Sequence, residues 1–399
     1  MVECITKICK TYGPRIAGSE GDKNSRVEIF KDTQAVCDET KVENFKCSDK
    51  AFMAWVPIGV ILLIMSTIFY VFSMPIISLC LTVVTLFLIL TEFIFYKETL
   101  DVFFPKKETA NVVGIRKASG ETKRRIILCG HTDCAFEWTY TYFGGRPADM
   151  TIIASAVLNI VASIAGSITS IVTQGAFNPS FVFSNANTST VVFATIMTVL
   201  LPIMIAAVFF CNFSKPVAGA NDNLTGCYIP LAVAKYLDDN DIHFENTEVQ
   251  IALVGAEECG LRGSKDYAVK HKEEYLNDDT QTIVVALDTI HDFEFMKILL
   301  CDMNGTVKND PRVANLIKEG AQLAGYGDIA MGTIDLGSTD AAAFSLNGYP
   351  ASSLLAVDPA PARYYHTRLD NEDCLDENAI EAGFKITLET VFLFDKKGI

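Results

Sequence analysis

Four apolar runs decide most of what this chain can become. Residues 51–74, 76–96, 151–173 and 190–213 carry almost no charge. Each is ~20 residues or longer, enough to cross a bilayer as a helix. Pro75 separates the first two, which makes them a tight hairpin, and the last two form a second pair. Glu92 is the only charge in the second run; near its end, it is expected at the membrane–water interface rather than as a buried functional acid. In the third run Ala162, Gly166 and Ser170 recur every four residues, a small-residue face for close helix packing in lipid. A soluble core helix is the plain alternative for one such run, but not for four. The runs divide the sequence: 1–50, 97–150 and 214–399 read as one domain, with 51–96 and 151–213 as inserted transmembrane hairpins.

Outside the runs the pattern alternates. Short apolar segments at 125–130, 249–254, 282–287 and 352–357 read as buried strands, and 42–45 as another. Segments 24–37, 224–237, 312–324, 341–346 and 377–394 read as helices. Alternation of this kind predicts an α/β fold, a mixed sheet with helices on both faces. Ligand sites in such sheets gather beyond the carboxyl ends of the strands. His131, Glu258 and Asp288 each come just after a predicted strand, while Asp222 and His366 lie in loops able to reach the same edge.

The densest chemistry is Gly255-Ala256-Glu257-Glu258-Cys259-Gly260-Leu261-Arg262-Gly263-Ser264. Neighbouring side chains at a strand end point in different directions, so one carboxylate can bind a metal while the other faces the reacting atom. A solvated acidic turn is the bland alternative, and the rest of the chain outweighs it. Two imidazoles and three carboxylates, His131, Asp222, Glu258, Asp288 and His366, suit zinc or another divalent metal such as Co2+ or Mn2+. With Asp222 bridging, two ions each receive one imidazole, one unshared carboxylate and the bridge. Asp133, two residues after His131, is placed to accept the other ring N–H of that imidazole. Glu257 is the candidate general base.

Blander roles go to the remaining candidates. His291 lies close after Asp288 but receives no role, and His243 and His271 fall in charged surface stretches. Asp340 reads as a helix N-cap. Cys134, Cys227 and Cys259 read as buried small hydrophobes. Twelve cysteines without CxxC spacing point to reduced thiols. Lys+Arg 33 against Asp+Glu 48 leaves a net charge of −15, which excludes a basic nucleic-acid-binding face.

The ordered set Gly13-Pro14-Arg15-Ile16-Ala17-Gly18-Ser19, His131-Thr132-Asp133, Gly219-Ala220-Asn221-Asp222-Asn223, Ala256 to Ser264, Asp288, Ser338-Thr339-Asp340 and Tyr365-His366-Thr367 resembles the co-catalytic di-zinc exopeptidases typified by aminopeptidase Y and glutamate carboxypeptidase. The resemblance implies two zinc ions on the five ligands, Glu257 as base, and a strained peptide after Asp222 of the kind that adopts the cis form. It implies a zinc metallo-aminopeptidase acting on peptides with a free N-terminus. Tyr365 is the best candidate for polarising the substrate carbonyl. Two departures stand out: the family's soluble members lack the apolar runs, and Ser338-Thr339-Asp340 has an extra residue between Ser and Asp. Three rivals remain. A carboxypeptidase would use Arg363 or Arg368, a glutaminyl cyclase manages with one zinc, and a silent receptor or scaffold would have lost ligands or base.

Charge also orients the chain. Lys46, Lys50, Lys97, Lys106, Lys107, Arg146 and Lys215 flank the runs on the domain side, while 73–77 and 174–189 contain no Lys or Arg. The positive-inside rule then predicts a cytosolic catalytic domain and cytosolic termini. The absence of an apolar h-region in residues 1–10 agrees with this. Asn187-Thr188-Ser189 is read as a chance glycosylation match.

Overall fold

In the computed structural model the described residues are 1–177, 179–185, 187–277 and 279–399. The loop 174–189 therefore includes two positions, 178 and 186, outside the described residues. The chain divides into two compact units. One is Met1–Asp49, Phe104–Phe136 and Ser214–Ile399; the other is Lys50–Phe103 and Glu137–Phe213.

The first unit is built on a mixed sheet. Its strands are β1 (Glu39–Cys47), β2 (Lys107–Arg116), β3 (Arg124–His131), β4 (Thr247–Val254), β5 (Gln281–Ile290), β6 (Lys297–Asp302), β7 (Ala330–Thr333) and β8 (Ala351–Ala356). They lie in the order β1-β2-β4-β3-β5-β8-β6-β7, and the short strand Val307–Lys308 pairs with β6. The centre, β4-β3-β5-β8, is parallel; β1-β2-β4 on one side is antiparallel. Every residue of β3 after Arg124 is buried, as a parallel strand covered on both faces must be. Ile126 and Leu128 face one core, with Ile251, Val285 and the helices Gly226–Asp239 and Glu377–Lys397. Ile127 and Cys129 face the other, with Ala252, Tyr267 and Phe344. That alternation puts helices on both faces, as predicted.

Several expectations shift. The second helix is Glu20–Gln34, starting earlier because Ser19 caps it by accepting the Asp22 N–H at 3.2 Å. β2, β6, β7 and the helix Arg262–Asn277 were not anticipated. β5 runs on to Ile290, so Asp288 lies within the strand, opposite Leu355 of β8. Asp340 is not an N-cap: Thr339 precedes the helix and Asp340 is its first residue.

Among its described residues the second unit holds four helices long and apolar enough to cross a membrane: Ala51–Val71, Pro75–Ile94, Thr139–Gln174 and Thr188–Ala207. The fourth apolar run breaks after Ala207, and Cys211–Pro216 is extended. Large apolar side chains such as Phe72, Val83, Phe87, Val161 and Val199 are exposed. Hydroxyls occupy the interior instead. Ser66 Oγ lies 2.8 Å from Ser78 Oγ, 2.9 Å from Thr82 Oγ1 and 2.9 Å from Ser163 Oγ, and Thr82 to Ser163 is 2.6 Å. Gly166 is a packing requirement, because a Cβ there would meet Phe193 Cβ at 2.8 Å and the Tyr70 ring at 2.9 Å. Glu92 corrects the sequence reading: it is fully buried in this unit and accepts the Leu100 N–H at 2.7 Å.

Candidate metal centre

His131 is the last residue of β3, paired in register with Val254 at the end of β4. Beyond Val254 the chain turns through Ala256, which adopts a positive φ of 57°, and presents Glu257 and Glu258. Asp288 comes from β5. Asp222 sits in the turn Ala220–Thr225 and His366 in the loop after β8, also at positive φ, 50°. A non-glycine residue holds such a backbone only where its surroundings fix it. The Asp222–Asn223 peptide is cis.

All five expected ligands meet. Asp222 lies between the two imidazoles: its Oδ1 is 3.3 Å from His131 Nε2 and its Oδ2 is 3.0 Å from His366 Nε2. Asp288 Oδ1 is 3.9 Å from His131 Nε2, and Glu258 Oε1 is 3.2 Å from His366 Nε2. Donor atoms fall into two groups, His131–Asp222–Asp288 and Asp222–Glu258–His366, each within 4.8 Å. Glu257 Oε2 is 3.7 Å from His131 Nε2.

The donor set fits a pair of divalent cations. Asp222 Oδ2 and Glu258 Oε1 are buried, and despite their closeness to His366 neither makes a hydrogen bond. Carboxylates also outnumber imidazoles among these buried groups, and buried like charges are costly without a compensating cation. Burial pushes the Glu257 carboxyl well above its ordinary range, and the neighbouring carboxylates add to this against the pull of His131. Burial likewise lifts Asp288, to about 8. Asp222 alone goes down: burial opposes this, but the contacts with His131 and His366 win. Burial lowers His366, yet the charge of Glu258 and the contact with Asp222 carry it to about 10.

Asp133 departs from its expected geometry. Its Oδ1 is 3.5 Å from His131 Nδ1, long for a hydrogen bond. Its firm bonds are with the backbone instead: it accepts the N–H of Glu257 at 2.9 Å and of Glu258 at 3.1 Å. Asp133 thus fastens the Glu-Glu turn to the end of β3. Tyr365 is half-buried with its ring stacked on His366, centroids 4.0 Å apart. Burial, then the charges of Asp222 and Glu258, push its phenol well up, so it stays a proton donor. Cys134, Cys227 and Cys259 are buried; Cys227 donates to the His131 carbonyl at 2.9 Å.

Two supports had no role in the sequence reading. Asp370, fully buried, accepts the N–H of Asn221 at 2.7 Å and of Asp222 at 3.1 Å, which fixes the bridging turn. Arg15, also fully buried, donates to the carbonyls of Thr132, Ala218 and Gly219. It ties the His131 loop to the Asp222 loop. Gly219 beside it has φ 64°, and a Cβ there would meet the Asp222 carbonyl oxygen at 2.6 Å. The available signal was a lone arginine in an otherwise weakly charged turn and an aspartate closing the His366 loop.

Residues 205–391 match the model of peptidase family M28. Among solved structures, the chain is similar to a glutaminyl cyclase from Fimbriiglobus ruber, with TM-score 0.58 and 13% identity over 98% of this chain and 93% of that one. It is similar to the zinc aminopeptidase BSAP of Bacillus subtilis, with TM-score 0.57 and 13% identity over 98% and 93%. A leucine aminopeptidase precursor from Bacteroides thetaiotaomicron gives TM-score 0.52 and 15% identity over 98% and 97%. At such identities the likeness is one of fold. No curated protein sequence matches the chain.

Proposed function

We propose that this chain, whose residues 205–391 match the model of peptidase family M28, is a zinc exopeptidase of that kind, a membrane-anchored aminopeptidase that removes the N-terminal residue of peptides. The observation that carries this reading is the sharing of Asp222 between two complete ligand groups. His131 and Asp288 would hold one zinc ion, Glu258 and His366 the other. When bound, the pair supplies Lewis-acid polarisation of the scissile carbonyl and a lowered pKa for the attacking water. Glu257, left over from both groups, takes the proton of that water and returns it to the leaving amine. Tyr365 donates its O–H to the oxyanion that develops on the carbonyl. The excess of acid around the site favours a substrate's N-terminal ammonium.

The four apolar helices would anchor the enzyme in a bilayer. Each hairpin returns the chain to the side it left, and the lysines and arginines flanking the runs favour the cytosol for the catalytic unit.

One experiment tests activity and orientation together. Zinc-loaded protein in sealed cells and in permeabilised cells is given carboxy-blocked dipeptides, amino-blocked dipeptides and peptides with N-terminal glutamine. Hydrolysis of the carboxy-blocked set, only after permeabilisation, is expected. Hydrolysis of the amino-blocked set alone would make it a carboxypeptidase. Ring closure at N-terminal glutamine without hydrolysis would make it a cyclase, and no turnover at full zinc a receptor or scaffold. Hydrolysis outside sealed cells would reverse the topology.

A further inference from the structure

A second cluster of titratable side chains lies outside the five-ligand site. His291 follows the end of β5, and its Nδ1 is 2.8 Å from Asp292 Oδ1. Asp292 is itself fixed, because its other oxygen accepts the Asp358 N–H at 2.8 Å and the Tyr364 O–H at 2.8 Å. A carboxylate held this way accepts the Nδ1 proton and leaves Nε2 as the acceptor. Cys374 Sγ stands 3.6 Å from that Nε2. The Tyr364 ring packs on the imidazole at 4.3 Å and holds its plane. Cys374 and His291 are both half-buried. Thiol, imidazole and carboxylate stand in the order that converts a thiol to a thiolate.

We propose that Cys374 is a reactive nucleophilic thiol, with His291 as its base and Asp292 orienting that base, and that it is a site of covalent modification by peroxides and soft electrophiles. The groups facing His291 are Asp292, Tyr364 and Cys374. Burial pulls the imidazole down, but the bond with Asp292 and then the contact with Cys374 raise it to about 10, which suits a base that holds a proton taken from a neighbouring group.

With hydrogen peroxide, the thiolate attacks one peroxide oxygen. An S–O bond forms and the O–O bond breaks. The sulfur is oxidised to a sulfenic acid and the peroxide is reduced. The departing hydroxide takes the imidazolium proton and leaves as water. The adduct would stand on the turn Glu372–Cys374, whose Cys374 carbonyl accepts the Asn221 side-chain N–H at 3.2 Å, next to Asp222.

The test is a short iodoacetamide pulse on the full-length protein at about pH 6.5, read thiol by thiol by mass spectrometry. Cys374 should label about tenfold faster than Cys4, Cys37 and Cys301, the other half-buried thiols. His291→Gln should slow it about tenfold, and Asp292→Asn should slow it less. Equal rates for Cys374 and Cys301, or no change in His291→Gln, would overturn the assignment. If either variant fails to fold, the wild type decides: a rate nearly flat between about pH 6.5 and 8.5 supports the pair, and a fall of about 50-fold toward the lower pH refutes it.

Discussion

Both units bury polar side chains, but of different kinds. In the sheet unit they include a cluster of ionisable groups: His131, Asp133, Asp222, Glu257, Asp288 and His366 are all less than a tenth exposed. In the helical unit, beside buried acids such as Glu92 and Asp149, a cluster of neutral side chains lies between the long helices, with Ser66, Thr67, Ser78, Thr82, Asn159 and Ser163 fully buried. The hydroxyls satisfy one another, and Asn159 donates to Thr67 at 3.3 Å. At the site two carboxylate oxygens, Asp222 Oδ2 and Glu258 Oε1, are buried without a hydrogen bond. A neutral hydroxyl buried with partners costs little, whereas a buried charge must be compensated. The first pattern packs helices together; the second is one that the proposed metal ions would compensate.

The largest break in that contrast comes from separating the two glutamates. Glu257→Gln should retain both metal ions and lose about 10²–10⁴ in turnover, since only proton transfer is removed. Glu258→Ala should lose metal, since a ligand is removed. Metal analysis beside kinetics on the purified variants distinguishes them. Equal zinc loss in both would mean that Glu257 is a ligand and the assigned roles are wrong.

Asp133 comes next. An Asn there keeps one acceptor oxygen but turns an N–H donor toward the second backbone N–H, so the Glu257–Glu258 turn loses an anchor. Asp133→Asn should cost about 10–100-fold in zinc affinity or activity. Wild-type zinc affinity together with wild-type turnover would reduce Asp133 to a bystander.

The proposed ligands were legible because each lies near the end of a predicted strand or in a loop, within a short motif carried by neighbouring residues. The four long apolar helices were legible for the same local reason, as uninterrupted apolar length. Asp133's job was not, since it depends on backbone donors more than a hundred residues away. Nor were those of Arg15 and Asp370, whose partners in the 218–222 loop only the fold brings near. β2 hid because Asn111 and Gly114 interrupt its apolar run. Asn111 is in fact placed to bond the Gly255 N–H and the Gly263 carbonyl, and Gly114 has no room for a Cβ beside Thr33 and Cys37. Glu92 was misplaced for a related reason: charge near a span's end predicts an interface, but the Leu100 N–H gives that carboxylate a buried partner.

The smallest expected effect tests the other half of the contrast. Ser163 Oγ touches Ser66, Ser78 and Thr82, yet Ser66 still reaches both Ser78 and Thr82 without it. Ser163→Ala therefore strands no hydroxyl. Interhelical hydrogen bonds of this kind contribute about 0.6 kcal/mol on average and ~1.7 kcal/mol at most. A loss in that range is expected from reversible unfolding of the detergent-solubilised protein, with zinc binding and turnover unchanged. Removing one member of a buried ion pair costs more, about 3–5 kcal/mol. If Ser163→Ala lost that much, or lost turnover while still folded, the hydroxyls would not be simple packing contacts, and the division between a reacting unit and an anchoring unit would fail.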